Sequence, residues 1–102
     1  MAKGYWVGRV EVNDPEQYAK YVATNGPAYA AYGGRFLVRG GDYETVEGES
    51  RSRNVVIEFP SYDDALACFR SDAYQAAREH RLGAADVDMI VIGGYDGAQP
   101  GE

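Results

Sequence analysis

The side chains of this sequence with the chemistry to form a site are Asn25, Arg39, Glu58, Tyr74, His80 and Arg81. His80 is the one histidine, the residue type best suited to exchange protons near neutral pH. It lies in Arg78-Glu79-His80-Arg81, the charged end of a helical stretch, where a solvated imidazole near a helix C-terminus is the plainer reading. Spacing places no Asp or Glu to orient it, and an axial haem role has equally thin support. Glu58 alternates within an otherwise apolar stretch. Burial would raise its pKa and make it a general acid or base, unless Arg39 or Arg81 pairs with it in a structural salt bridge. Arg39 precedes Gly40-Gly41, a bulge signal that would re-aim it toward a carboxylate. That carboxylate is a ligand's, or else Glu58 or Glu47. Asn25 sits beside Gly26-Pro27, where helix carbonyls are freed. Facing Tyr74 and Arg81 from another helix, it would define the mouth of a pocket between helices and sheet.

The elements that must position these groups follow from periodicity and punctuation. Tyr5 to Val12 alternates as a strand, with Trp6, Gly8, Val10 and Val12 on one side and Tyr5, Val7, Arg9 and Glu11 on the other. Asp14-Pro15-Glu16 opens a helix, with a capping carboxylate, a proline at the first helical position and an acid at the positive end of the dipole. Tyr18, Tyr21, Val22, Asn25, Tyr29 and Tyr32 make a helical stripe. A kink or break is expected at Gly26-Pro27, and Gly33-Gly34 ends the helix. Arg35 to Arg39 begins a second strand, which Gly40-Gly41-Asp42 interrupts as a bulge or turn and which Tyr43 to Glu47 is expected to continue. Arg53 to Phe59 is the third, with Val55, Ile57 and Phe59 opposite Asn54, Val56 and Glu58. Ser61 and Ser71 each start a helical piece, the second ending near Gly83, and Asp86 to Ile92 is the last strand.

Strand, helix, strand, strand, helix, strand is the split βαβ order. It predicts an α+β, ferredoxin-like βαββαβ domain: a four-stranded antiparallel sheet with helices on one face, ordered 4-1-3-2. The domain is read over residues 1–95, and 96–102 as a loose polar tail.

With 102 residues and 45% hydrophobic content, the chain suits one domain with its own core. The lone Cys68 excludes an internal disulfide, lacks zinc spacing and suggests a reducing, cytoplasmic setting. Neither an export signal nor a membrane span is expected. A net charge of −6 disfavours nucleic acid and anionic membrane. Arg39-Gly40-Gly41 is a single copy, so it lacks the repetition of an RNA-binding segment. The paired glycines fit no phosphate-loop spacing. No cofactor and no metal site are expected.

Apolar residues at both parities, Trp6 and Val7, Val55 and Val56, Met89 and Ile90, call for a second buried sheet face. A twofold interface is the commonest cover. Residues 4–93 resemble the domain-of-unknown-function family 1330 within the dimeric α/β-barrel superfamily. The resemblance rests on Gly4-Tyr5-Trp6, Asp14-Pro15 with Tyr18 and Tyr21, and Tyr32-Gly33-Gly34-Arg35-Phe36. Arg39-Gly40-Gly41, Glu47-Gly48, Glu58-Phe59-Pro60, and Ser71 with Tyr74 and Arg81 complete it. It implies a homodimeric α/β barrel with two sheets face to face, and it brings no established reaction. Superfamily relatives include cofactor-free monooxygenases, isomerases and haem-degrading enzymes. The expectation is a dimeric small-molecule-binding domain, or a cofactor-free enzyme on aromatic or carbonyl compounds. The alternative is a non-catalytic accessory protein defined by its dimer interface.

Overall fold

Strand β1 (Gly4–Val12) is the spine of the molecule, a computed structural model that describes residues 2–101. Its alternation works as the sequence demands: Gly4, Trp6, Gly8 and Val10 are buried, while Tyr5, Val7, Arg9 and Glu11 face the other way. Around it stand α1 (Pro15–Ala31), β2 (Arg35–Arg39), β3 (Arg53–Phe59), α2 (Tyr62–Arg70), α3 (Asp72–Glu79) and β4 (Ala85–Gly93). The sheet is antiparallel in the order β2-β3-β1-β4, the expected 4-1-3-2 arrangement read from its other edge.

The caps follow local chemistry. The Asp14 carboxylate accepts from the Gln17 amide at 3.2 Å, Ser61 Oγ from Asp64 at 3.0 Å, and Ser71 Oγ from Tyr74 at 3.1 Å. At the other end of α1, Gly33 at φ +74° lets its own amide reach the Ala30 carbonyl, and the Gly34 amide reaches Tyr29 at 2.8 Å. This is the paired-bond terminus that glycine makes cheap.

Two local expectations are overturned. Pro27 does not break α1, which runs on to Ala31. Ala23, Gly26 and Pro27 all lie on the exposed side of the helix, so water satisfies the carbonyl that the proline ring leaves without a donor. The second strand does not resume at Tyr43. Gly40 and Gly41, at φ +67° and +117°, turn the chain off the sheet, and residues 41–50 are exposed, with Val46 at 86%. The bulge lies earlier than the glycines: the β2–β3 register shifts between Phe36 and Val38, leaving Leu37 as the extra residue.

The core lies between the helices and the inner sheet face. Trp6 is its centre, with its indole N–H donated to the Ala65 carbonyl at 2.8 Å and Tyr29, Phe59, Phe69 and Tyr74 around its ring. Among the described residues no helix is long and apolar enough to cross a membrane.

Candidate functional site

Where α1 crosses β1, β3 and the end of β2, the core leaves a recess. Its walls are aromatic and aliphatic, among them Trp6, Tyr18, Tyr29, Ile57 and Met89, with Asn25, Arg39 and Arg53 as the polar groups. Gly8 forms part of the floor, and the absence of a side chain there leaves the space. The recess measures about 430 Å3 when the solvent at its mouth is counted, but only about 30 Å3 admits the centre of a water molecule. A water needs roughly 10–15 Å3 by that measure, so the closed part holds about two.

Asn25 is 4% exposed and its Oδ1 has no hydrogen-bond partner. A buried carbonyl left unpaired costs about 1–3 kcal/mol, so its place in the recess wall calls for a donor, from water or from a bound molecule. Arg53 starts β3 on the same face as Val55, Ile57 and Phe59, and its Nε is also sealed from solvent without a partner. Its guanidinium lies 5.8 Å from the Tyr18 ring centre. Burial raises the Tyr18 pKa, and the Arg53 charge partly opposes that rise.

Behind the recess wall is a chain of hydroxyls. Tyr21 OH lies 3.2 Å from Tyr29 OH and 2.8 Å from Tyr74 OH, and Arg81 donates to Tyr74 at 3.3 Å. Arg81 is 7% exposed, sits 5.4 Å from the Tyr21 ring centre and pairs with no carboxylate among the described residues. Burial works against its charge, but the phenols of Tyr74 and Tyr21 outweigh that and hold its pKa above the usual arginine value. Desolvation, reinforced by the neighbouring phenol of Tyr21, pushes the Tyr29 and Tyr74 pKa values well up, so both are neutral donors over the whole physiological range.

These shifts carry a prediction. Above the ordinary phenol value of 10.0, an unfolded chain releases protons that folded Tyr29 and Tyr74 retain. The unfolded state then binds fewer protons, so stability falls as pH rises past that value, by about 1.4 kcal/mol per pH unit for each group. The buried Cys68 thiol, pushed from 9.0 up to about 12, adds to the same loss from its lower starting value. Urea midpoints measured from about pH 8 to about pH 11 should fall together with the onset of tyrosinate absorbance. A midpoint that stays level across that range would show the phenols to be solvated.

The structure divides the sequence candidates into groups. Asn25 and Arg39 both line the recess, whereas Tyr74 and Arg81 lie one layer behind, linked to it through Tyr21. Glu58 is on the opposite sheet face, 3.6 Å from Arg35 and accepting from Tyr5 OH at 3.4 Å. The expected pairing of Glu58 with Arg39 or Arg81 does not form, because the Leu37 bulge turns Arg39 to the helix side, where it stacks 4.1 Å from the Phe36 ring centre. His80 caps α3, half-buried and away from the recess wall. Arg53 and Gly8 escaped the sequence reading. Their signal was present in strand alternation, since Arg53 is the one charge on the apolar side of β3 and Gly8 the one gap on that side of β1's centre. Among the described residues, no three His, Cys, Asp or Glu side chains gather where they could hold a metal ion.

Fold and recess together define a ferredoxin-like α+β domain with an arginine-rimmed cleft beneath its first helix. The chain belongs to the family described as Domain of unknown function (DUF1330), whose model matches residues 3–95. Its fold is shared with a protein of unknown function from Rhodopseudomonas palustris, at 23% identity and TM-score 0.73, covering 89% of this chain and 81% of that one. SnoaB, a cofactor-independent oxygenase from Streptomyces nogalater, is similar at 12% identity and TM-score 0.64 over 100% of both chains. A dimeric ferredoxin-like protein of unknown function from Thermobifida fusca is similar at 15% identity and TM-score 0.60, covering 89% of this chain and 90% of that one. No curated protein matches the chain.

Proposed function

We propose that this protein is a homodimeric, cytoplasmic small-molecule-binding domain whose ligand site is the recess between α1 and the sheet. The observation that carries the reading is the unpartnered Asn25 Oδ1, almost fully buried in an otherwise apolar wall. The most concrete form of this function is a cofactor-free enzyme on aromatic or carbonyl compounds. The fold it shares with a cofactor-independent oxygenase is compatible with that chemistry, but fold alone does not assign it. Neither Glu58 nor His80 lines the recess, so hydrogen-bond donation there falls to the neutral Tyr29 phenol and to Arg39 and Arg53.

The dimer rests on the face that the helices leave open. Val7 pairs with Val56 and Ile90 across β1, and Ile90, Ile92 and Val38 are 55%, 47% and 44% exposed. The molecule is a slab 16 Å thick in its shortest dimension, with a radius of gyration of 14.5 Å. A compact chain of this length has about 13 Å. A second sheet packed face to face about 10 Å away would bury the valines and isoleucines. The exposed segment 41–50 would lie along the partner.

The small closed volume favours a second reading, a non-catalytic accessory dimer. One set of measurements separates the two. Native mass spectra should show twice 11.1 kDa, collapsing to the monomer in Ile90→Arg. Thermal shifts against small aromatic and carbonyl compounds should reveal a stabilising ligand. That gain should disappear in Gly8→Val, whose added Cβ meets the flexible Met89 side chain at 3.4 Å and the Val55 carbonyl oxygen at 4.0 Å, and whose methyl groups fill the recess. An intact dimer that no compound stabilises would favour the accessory reading.

A further inference from the structure

The charge lining the recess runs against that of the whole molecule. Acidic residues outnumber basic ones sixteen to ten, yet the recess wall contains two arginines and no Asp or Glu. The ion pairs among the described residues use Arg35 and Arg51. Arg39 and Arg53 are left without a carboxylate. Each guanidinium instead lies near an aromatic ring, Arg39 at 4.1 Å from the Phe36 centre and Arg53 at 5.8 Å from Tyr18. The Phe36 ring engages the flat face of Arg39 and leaves its N–H edges free, while Arg53 hydrogen-bonds the Tyr18 phenol and keeps further donors, its sealed Nε among them, for an oxyanion. The lack of a side chain at Gly40 leaves room for the Arg53 head. A Cβ there would come within 3.0 Å of Nη1, and its φ of +67° suits glycine.

We infer that the recess binds a compact carboxylic acid that also carries a hydroxyl donor, with its carboxylate on Arg53 and Arg39 and its hydroxyl donated to Asn25 Oδ1. This rests on the recess being the ligand site. The sealed, unpartnered Nε of Arg53 and the unpartnered Oδ1 of Asn25 are a donor and an acceptor in one apolar enclosure. A neutral hydrocarbon satisfies neither group. A phosphate monoester dianion satisfies the arginine but has no hydroxyl on phosphorus to donate to Oδ1. A hydroxy acid satisfies both. The closed volume has room for only about two waters, so the shortest hydroxy acids fit best, with most of their atoms in the open mouth of the recess.

The test uses the full chain with glycolate, lactate and mandelate, the neutral amide of each, and inorganic phosphate, read by thermal shift and calorimetry. Glycolate or lactate should stabilise the fold and bind more weakly as salt is raised, and the matching amide should not bind. Arg53→Gln should weaken acid binding by roughly 10- to 100-fold, the scale of a lost charge-assisted pair. Arg53→Lys, which keeps the charge but loses the fork, should fall between the two. Exposed Arg39 should matter less, and Arg35→Gln not at all. Amides that bind as well as acids, or neutral aromatics that bind where no acid does, would overturn the carboxylate and leave the ligand site standing. Binding of phosphate alone would also overturn it. No response to any probe, neutral aromatics included, would remove the ligand site as well.

Discussion

Trp6→Ala is expected to lower the unfolding free energy by about 3–5 kcal/mol, the usual cost of truncating a large buried aromatic. Trp6 is 1% exposed, and its ring centre lies 4.8 to 5.7 Å from those of four other aromatic residues, drawn from α1, β3, α2 and α3. Its removal would open a void where the helical layer meets the sheet. It would also take the indole donor from the Ala65 carbonyl. A domain of this length is stable by only about 5–15 kcal/mol, so the variant should be marginal or unfolded at room temperature. Trp6→Phe keeps most of the apolar volume but loses the hydrogen bond and part of the ring, and should cost less than Trp6→Ala, about 1–2 kcal/mol. Trp6 is the chain's one tryptophan, so the comparison is best followed by circular dichroism in urea. A loss below about 1 kcal/mol in Trp6→Ala would mean that the surrounding rings close over the gap.

The second large effect comes from adding a single carbon. Gly4→Ala would place a Cβ 2.3 Å from the Ser61 carbonyl oxygen and 2.6 Å from Tyr62 Cα. Both are backbone atoms at the start of α2, and Ser61 is its N-cap. Gly4 is also held between Phe59 and Gly93 in the ladder and cannot slide away. The strand and the helix must therefore separate, which costs about 1–3 kcal/mol, with the upper end expected because neither contact is a flexible side chain. Gly26→Ala is the control with the opposite sign. It lies inside α1 with no atom within 4 Å of the added Cβ, and should gain about 0.5–1 kcal/mol from the reduced freedom of the unfolded chain. Equal denaturant midpoints for the two variants would contradict the close approach of β1 and α2.

Most of the architecture was legible in the sequence because its signals are local. Alternation set the faces of β1 and β3. Asp14, Ser61 and Ser71 marked the helix starts, and Gly33-Gly34 marked the end of α1. Each of these depends on atoms within a few residues of one another. The errors came where solvent or a distant neighbour decides. Pro27 reads as a break until its freed carbonyl is seen to face water. Tyr43 to Glu47 reads as strand until the glycine turn removes it from any partner.

The site was legible only in part, for the same reason. Asn25 and Arg39 were named from local features and do share the recess. Plain alternation would keep Arg35, Leu37 and Arg39 together on the open face, the face of Glu58. The bulge at Leu37 reverses that: Arg35 takes Glu58 on the open face, and Arg39 is delivered to the recess opposite Val55. The sequence by itself determined which residues are apolar, where each element starts and which side of a regular strand faces inward. Only the tertiary structure decided which face each arginine serves, because a one-residue slip in strand pairing inverts every side chain beyond it.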